Sequence, residues 1–502
     1  MATIRPFDYS GIKRGADGIA RYLNRPPSLV HMLRATADKW PKKEGLVELG
    51  GERLDYTQLW ERATRVAGGL RTMGVQRGDR VAIRLGNSVN WCVSFFGIQM
   101  AGAVAVPVNT RFSEAEVEYV ITDSSSKVVI MPGEPLPDGA PFVVEDLKPQ
   151  DLSAIFYTSG TTGFPKGATT THEAFLSNTE TCRRISDLPS DGSLRGLISV
   201  PLFHVTGCNS QLLPTCEDGG TAVIMPAFNV KLFLSTIGEE HLNILTTVPA
   251  IFWLAINQPN FREIDTSGIK WCTYGGAPTP PDLVARIMEA FPNARLGNGF
   301  GLTECCSVAT FLPHEYAKTR PETVGFAAPV VDLTLTDIDP HTGAGELLIR
   351  GPNVSLGYWK KPEATAETFI DQWLHTGDMA RLDEAGFVQI VDRKKDMVNR
   401  GGENVYCVEV ENGLAGHPAV FEVAVTAVPD EVMGEKVGAV IVPKPGQDPA
   451  IADIVAFART QLADFKVPQY MVLRKEALPR NPGGKVLKQQ LRKNVEWGKQ
   501  VW

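Results

Sequence analysis

The chain has no surplus of positive charge: 50 Lys and Arg against 57 Asp and Glu leave a formal charge of −7. Non-specific nucleic-acid binding needs a basic surface, so no nucleic-acid partner is expected. Cysteine is sparse. Cys92, Cys182, Cys208, Cys216, Cys272, Cys305, Cys306 and Cys407 include no Cys-x-x-Cys pair and no Cys/His cluster at metal-ligand spacing. They read as buried small apolar residues in a reducing, cytoplasmic compartment. Adjacent Cys305 and Cys306 lack a paired base, so they read as packing or pocket-wall groups rather than nucleophiles. Long apolar runs are also missing. Residues 91–108 come nearest, but they contain Gly97, Gln99 and Gly102 and end in Ala-Val-Ala-Val-Pro-Val. A buried helix followed by a short buried strand explains them better than a spanning helix of about 20 apolar residues, so no integral membrane segment is expected. Residues 1–10 lack the apolar core of a signal peptide, and Asp8 and Asp17 argue against a transit peptide.

The 502 residues are ordinary in composition for a globular enzyme, with 43% apolar and 21% charged side chains. Helical and strand patterns alternate through the first four-fifths of the chain. Helices are expected at 28–40, 56–73 (opened by Thr57) and 114–124, and strands at 45–49, 53–56, 81–85, 127–130 and 151–158. Such alternation implies an α/β fold with parallel sheets covered by helices. Further β structure is expected at 345–351, 387–391, 423–428 and 436–442, and helices at 449–461 and 485–494. Dense charge at residues 392–396, followed by Gly401-Gly402, suggests a boundary there, with a large domain at 1–394 and a small α+β domain at 395–502.

Residues 157–167 read Tyr-Thr-Ser-Gly-Thr-Thr-Gly-Phe-Pro-Lys-Gly, with four Ser or Thr hydroxyls, three glycines and one lysine. Ordering so much glycine is costly, and such a segment cannot fill a core. It can wrap phosphate with backbone N–H groups, hydroxyls and one cation. A Walker loop is disfavoured, because Lys166 is followed by Gly167 and not by the Ser or Thr that would hold magnesium. A strand ends just before this loop, and a helix is expected to begin within 171–179.

Four more motifs follow in order: Tyr274-Gly-Gly-Ala-Pro278, Asn298-Gly-Phe-Gly-Leu-Thr-Glu304, Trp373-Leu-His-Thr-Gly-Asp378 with Asp392-Arg393, and Pro479-Arg-Asn-Pro-Gly-Gly-Lys485. Together with the first, they resemble the adenylate-forming (AMP-binding) superfamily of acyl-CoA and aryl-CoA synthetases, adenylation domains and firefly-type luciferases, over nearly the whole chain. The resemblance implies a large domain of parallel-rich sheets and helices with a distorted β-barrel subdomain, plus a small mobile C-terminal domain.

It also implies roles. Thr158, Ser159, Thr161, Thr162 and Lys166 would face the β- and γ-phosphates of ATP, with Gly160 and Gly163 admitting the backbone. Gly276, Ala277 and Pro278 would lie against adenine, with Asn298, Gly299 and Phe300 beside it. Thr303 would contact the α-phosphate, and Glu304 would hold Mg²⁺, as suits a hard cation that bridges phosphates. Asp378 and Arg393 would bind the ribose, Lys485 would be the catalytic lysine, and Lys395 the hinge. Gly401 and Gly402 would border the coenzyme A tunnel, where Cys407 stands in place of the proline of most relatives. His204 would gate the acyl pocket or contact the acyl-adenylate, and Thr206, Ser210, Thr247, Tyr274 and Cys306 would line that pocket.

The implied reaction joins a small-molecule carboxylic acid to ATP, giving acyl-AMP and pyrophosphate, and then to coenzyme A with release of AMP. Two anions must meet in the first half, so a lysine bridging them stabilises the charge that builds. The pocket residues supply no cation for a second charged group, which favours a monocarboxylate with an apolar acyl or aryl body. An acyl-AMP ligase serving a carrier protein is the rival reading, although residues 131–151 look abbreviated where such relatives carry insertions. A non-catalytic acyl- or nucleotide-binding scaffold is the bland one. A homodimer is among the assemblies the sequence leaves open.

Overall fold

The computed structural model describes residues 4–502 apart from 159–163, 278, 402 and 481–485. The chain divides into two compact units, Met1–Leu333 with Leu348–His375, and Thr334–Leu347 with Thr376–Trp502. The second unit thus takes in residues 376–394, which lie on the large-domain side of the division read from the sequence.

Helices of the first unit start where short polar side chains take up the N–H groups of the first turn. Ser28 caps Leu29–Lys39, Ser88 caps Val89–Met100, and Ser113 forms a reciprocal capping box with Glu116 on Glu114–Ser124. The helix Tyr56–Thr72 is opened by Asp55 rather than Thr57. Gln58 N–H donates to Asp55 Oδ1 at 2.8 Å, while the Thr57 hydroxyl donates to Pro41 O. The helix Val89–Met100 has only 12 residues, all buried except Asn90. That is about 18 Å, well short of a bilayer. Among the described residues no helix is long and apolar enough to cross a membrane.

The first unit carries a nine-stranded sheet. Its middle strands, Glu44–Glu48, Thr221–Ile224, Arg195–Ile198, Ile244–Thr247, Trp271–Gly275 and Arg295–Phe300, are parallel neighbours in that order. A five-stranded sheet runs Ser126–Ile130, Arg80–Ile83, Val104–Pro107, Leu152–Thr158, Lys166–Thr171, and only its last pair is antiparallel. Val104–Pro107 and Thr221–Ile224 are buried at every position, as expected for strands covered on both faces. One core stacks Trp91 on Phe95 at 5.3 Å and sets Phe175 edge-on to Phe95. A second gathers Phe233, Phe252, Tyr274 and Phe291. All eight cysteines are buried, and no disulfide occurs among the described residues.

A further five-stranded sheet comprises Asp332–Thr336, Gly345–Arg350, Phe369–Ile370, Trp373–Leu382 and Val388–Arg393. In the second unit, Val420–Asp430 and Gly434–Pro443 form a long hairpin, extended by Val398–Arg400 and by Tyr470–Leu473. The helices Cys407–Ala415 and Ile451–Gln461 cover it through Val410, Leu414 and Ile454.

Candidate active site

Parallel α/β sheets bind ligands beyond the carboxyl ends of their strands. The motifs that begin at Tyr274 and Asn298 lie at that edge of the nine-stranded sheet. Register places Thr247, Tyr274 and Asn298 side by side on three parallel strands, with Gly275 opposite Gly299 one step further on. Strand pairing is tight there: a Cβ on Gly275 would collide with the Gly299 carbonyl. Gly276 follows at φ +76°, a conformation that costs glycine little, and Ala277 lies next to it. Asn298 is buried, and its amide donates to Thr323 O at 3.2 Å, while Phe300 ends its strand partly exposed. Thr303–Cys305 form a single 3₁₀ turn that sets Thr303 and Glu304 just past this edge. Pro278 lies outside the described residues.

The glycine-rich segment is flanked by two strands that pair antiparallel. Thr158 pairs with Lys166, and the strands Leu152–Thr158 and Lys166–Thr171 run back antiparallel before helix His172–Ile185 begins. Ser159, Gly160, Thr161, Thr162 and Gly163 lie outside the described residues. The hairpin root is anchored by Asp123, which accepts from the Tyr157 hydroxyl at 2.8 Å and pairs with Lys361 at 2.9 Å. Lys166 Nζ lies 5.1 Å from the centroid of the Tyr358 ring, and the Tyr358 hydroxyl donates to Glu304 Oε1 at 2.7 Å. Sequence reasoning missed both Asp123 and Tyr358.

The strand Arg195–Ile198 also ends at this edge, and the segment after it carries His204. Burial holds the His204 imidazole down at about 4, helped by Arg111, so it is neutral at pH 7. Its Nε2 is buried, with no hydrogen-bond partner among the described residues. Thr206–Leu212 is a π-helix, a wide turn often found at functional sites. From it, the Ser210 hydroxyl meets the Ser307 hydroxyl at 2.7 Å, and the Asn209 amide donates to Cys306 O at 3.1 Å. Cys306 and Ser307 take φ of +59° and +116°, unusual for side-chain-bearing residues. Thr247 shares a 3.1 Å hydrogen bond with Ser199, and Tyr274 is buried with its hydroxyl inside. Thr206, Ser210, Thr247, Tyr274 and Cys306 all belong to the first unit.

In the second unit, Asp378 and Arg393 stand opposite each other on paired strands, with Arg393 Nε 2.6 Å from Asp378 Oδ1. Asp378 N–H donates to Thr376 Oγ1 at 3.0 Å, and the Thr376 hydroxyl donates to Leu347 O at 2.7 Å. Lys395 sits in the turn that follows Arg393. Gly401 makes its own turn at φ +61°, where a Cβ would meet Met433 Cε at 2.5 Å. Beneath this region lies a polar cluster not foreseen from the sequence. Asp392 accepts from the N–H groups of Arg393 and Cys407, the Cys407 thiol donates to Asp396 O at 3.0 Å, and Lys488 pairs with Glu411 at 2.7 Å. Gly402 and Lys485 lie outside the described residues.

Comparison with known proteins agrees with these motifs. Residues 33–142 and 131–359 match the family described as AMP-binding enzyme, and residues 409–485 match the AMP-binding enzyme C-terminal domain. The chain is 35% identical over 471 residues to a feruloyl-CoA synthase of an Amycolatopsis species, covering 89% of this chain and 95% of that protein. It is 36% identical over 495 residues to a long-chain-fatty-acid–CoA ligase of Mycobacterium tuberculosis, covering 92% and 97%. The crystal structure of ATP-bound MatB from Rhodopseudomonas palustris matches with a TM-score of 0.84 at 30% identity, covering 92% of this chain and 98% of that one. The chain belongs to the AMP-binding, adenylate-forming enzymes, and within them it is an acid–thiol ligase of the AMP-forming acyl-CoA synthetase type.

Proposed function

We propose that this enzyme activates a monocarboxylic acid with an apolar acyl or aryl body, forms its acyl-adenylate with release of pyrophosphate, and transfers the acyl group to coenzyme A. The observation that carries the reading is the alignment of Thr247, Tyr274 and Asn298 at the carboxyl edge of one parallel sheet, with Glu304 just beyond. Relatives named for ferulate and for long-chain fatty acids support an apolar or aryl substrate over a doubly charged one.

On this reading Thr158, the loop 159–163 and Lys166 hold the outer phosphates, and Thr303 holds the α-phosphate. Gly276, Ala277, Pro278, Asn298, Gly299 and Phe300 form the base site, and Asp378 with Arg393 forms the ribose site. Among the described residues no three His, Cys, Asp or Glu side chains converge on one cation position. A lone carboxylate at Glu304 suits Mg²⁺, which would supply neutralisation of phosphate charge when bound. Lys485 would bring the carboxylate oxygen to the α-phosphate. Neutral His204 would border the acyl group without acting as a base, since a carboxylate is already ionised at pH 7. Residues 1–394 and 395–502 would act as the two working parts, with Lys395 as hinge, and Gly401 and Gly402 would border the pantetheine path in the second half-reaction.

The test is carboxylate-dependent pyrophosphate release across fatty, aryl and amino acids, with and without coenzyme A. Fatty or aryl monocarboxylates should support release, and coenzyme A should convert a single turnover into many. Turnover driven only by amino acids, or indifferent to coenzyme A, would overturn the proposal.

A further inference from the structure

We infer that Tyr358 is a positioning residue for the nucleotide's divalent cation, holding the Glu304 carboxylate in its cation-binding orientation while steadying Lys166 beside it; this rests on the ligase reading above. Residues 357–359 are laced onto the glycine-rich hairpin as a short extra strand. Thr169 donates from both its N–H and its hydroxyl to Gly357 O, at 3.0 and 2.8 Å, and Trp359 N–H donates to Gly167 O at 2.7 Å. An antiparallel bridge joins Ala168 to Tyr358. Tyr358 N–H donates to Thr365 Oγ1 at 2.9 Å, and the Trp359 indole donates to Asp123 O at 3.2 Å. The backbone of Tyr358 is thereby fixed to the same strand that carries Lys166.

From that fixed point the side chain meets two charged groups of opposite sign. Its hydroxyl donates to Glu304 Oε1 at 2.7 Å, and its ring faces the Lys166 ammonium at 5.1 Å. Glu304 is also held through its backbone, whose carbonyl accepts from Ser355 N–H at 2.8 Å. Among the described residues no hydrogen bond engages Glu304 Oε2. A phenol is a neutral donor. It orients one carboxylate oxygen without cancelling the charge, as an arginine or lysine there would. The other oxygen is left for monodentate binding, the mode a small octahedral cation with several waters accepts. Partners that orient a ligand in this way tune metal affinity without touching the metal. The ring also keeps Lys166 close by cation–π attraction, so one side chain links the two groups that would meet the phosphates.

Tyr358→Phe keeps the ring and removes only the hydroxyl. Equilibrium binding of ATP is measured with and without Mn²⁺, and bound Mn²⁺ is read by electron paramagnetic resonance. Metal-free ATP should bind the parent and Tyr358→Phe equally, whereas Mn²⁺ should bind the enzyme–ATP complex of the variant about tenfold more weakly. Tyr358→Leu, which also loses the ring, should lower metal-free ATP affinity as well. Equal Mn²⁺ affinity in parent and Tyr358→Phe would overturn the inference and leave the ligase reading standing. Equal loss of metal-free and Mn²⁺-supported binding in Tyr358→Phe would also overturn it, since that pattern reports a damaged hairpin. Failure of the parent to bind ATP would overturn the ligase reading and this inference together.

Discussion

Arg393 and Asp378 face each other across paired strands, with Nε 2.6 Å from Oδ1 and the aspartate side chain only 4% exposed. The arginine is 29% exposed, so the cost of removing it falls on the buried carboxylate that remains, which is hard to solvate. Arg393→Met should therefore lower stability by about 3 kcal/mol at pH 7 and weaken nucleotide binding. Urea unfolding checks this, and Arg393→Met combined with Asp378→Asn should recover part of the loss. A single variant as stable as the parent would contradict this account of the Asp378 carboxylate.

Two histidines make acid a specific stress. Burial lowers the pKa of both His172 and His204 to about 4. The unfolded chain protonates them near the ordinary value of about 6.5, so between those limits it binds more protons than the folded chain. Stability should fall as pH drops from about 6.5 to about 4, by about 3 kcal/mol for each histidine at most. Melting curves at pH 7.5 and 5.5 should show a fall in the parent that is reduced in His172→Gln and His204→Gln. An equal fall in parent and variants would rule this out.

Asp392 works in the opposite sense. Burial raises its carboxyl to about 6, against the pull of Lys488 and of the N–H groups of Arg393 and Cys407. The folded chain then holds a proton that the unfolded chain has already lost, so this contribution declines as pH rises from about 4 to about 6. Asp392→Asn should gain stability relative to the parent over that interval, by about 3 kcal/mol at most. A difference independent of pH would show that Asp392 is already ionised in the fold.

At Gly275 the limit is steric. A Cβ there would strike the Gly299 carbonyl of the neighbouring strand, and backbone cannot rotate aside as a side chain can. Gly275→Ala should cost about 1–3 kcal/mol and, on the proposed reading that the strands that part carry both base-site motifs, weaken ATP binding. Calorimetric unfolding with parallel ATP titration checks it. An unchanged melting temperature would show that the edge is more open than described.

Local pattern explains what was legible beforehand. Helices with short polar caps, such as those opened by Ser28 and Ser113, were readable because the cap and the 3.6-residue period lie within one short window. The strand Lys166–Thr171 was missed, although its run of β-branched threonines was a usable sign. Asp55 and not Thr57 opens Tyr56–Thr72, and nothing in the linear sequence says that Pro41 takes the Thr57 hydroxyl. The five motifs were legible as strings, and the meeting of Tyr274 and Asn298 at one sheet edge follows from parallel register. Tyr358 was hidden because its partners, Ala168 and Glu304, are far away along the chain. The cluster of Asp392, Cys407, Glu411 and Lys488 was hidden for the same reason, since charged residues read as surface until the fold buries them.

The central claim is that a carboxylate oxygen attacks the α-phosphate of ATP. The most direct test is a turnover with a fatty or aryl acid labelled with ¹⁸O in its carboxyl group, followed by mass analysis of the AMP and pyrophosphate released. One labelled oxygen should appear in AMP and none in pyrophosphate, and Lys485→Ala should abolish the transfer. Thioester formed with unlabelled AMP, or label in pyrophosphate, would contradict the account.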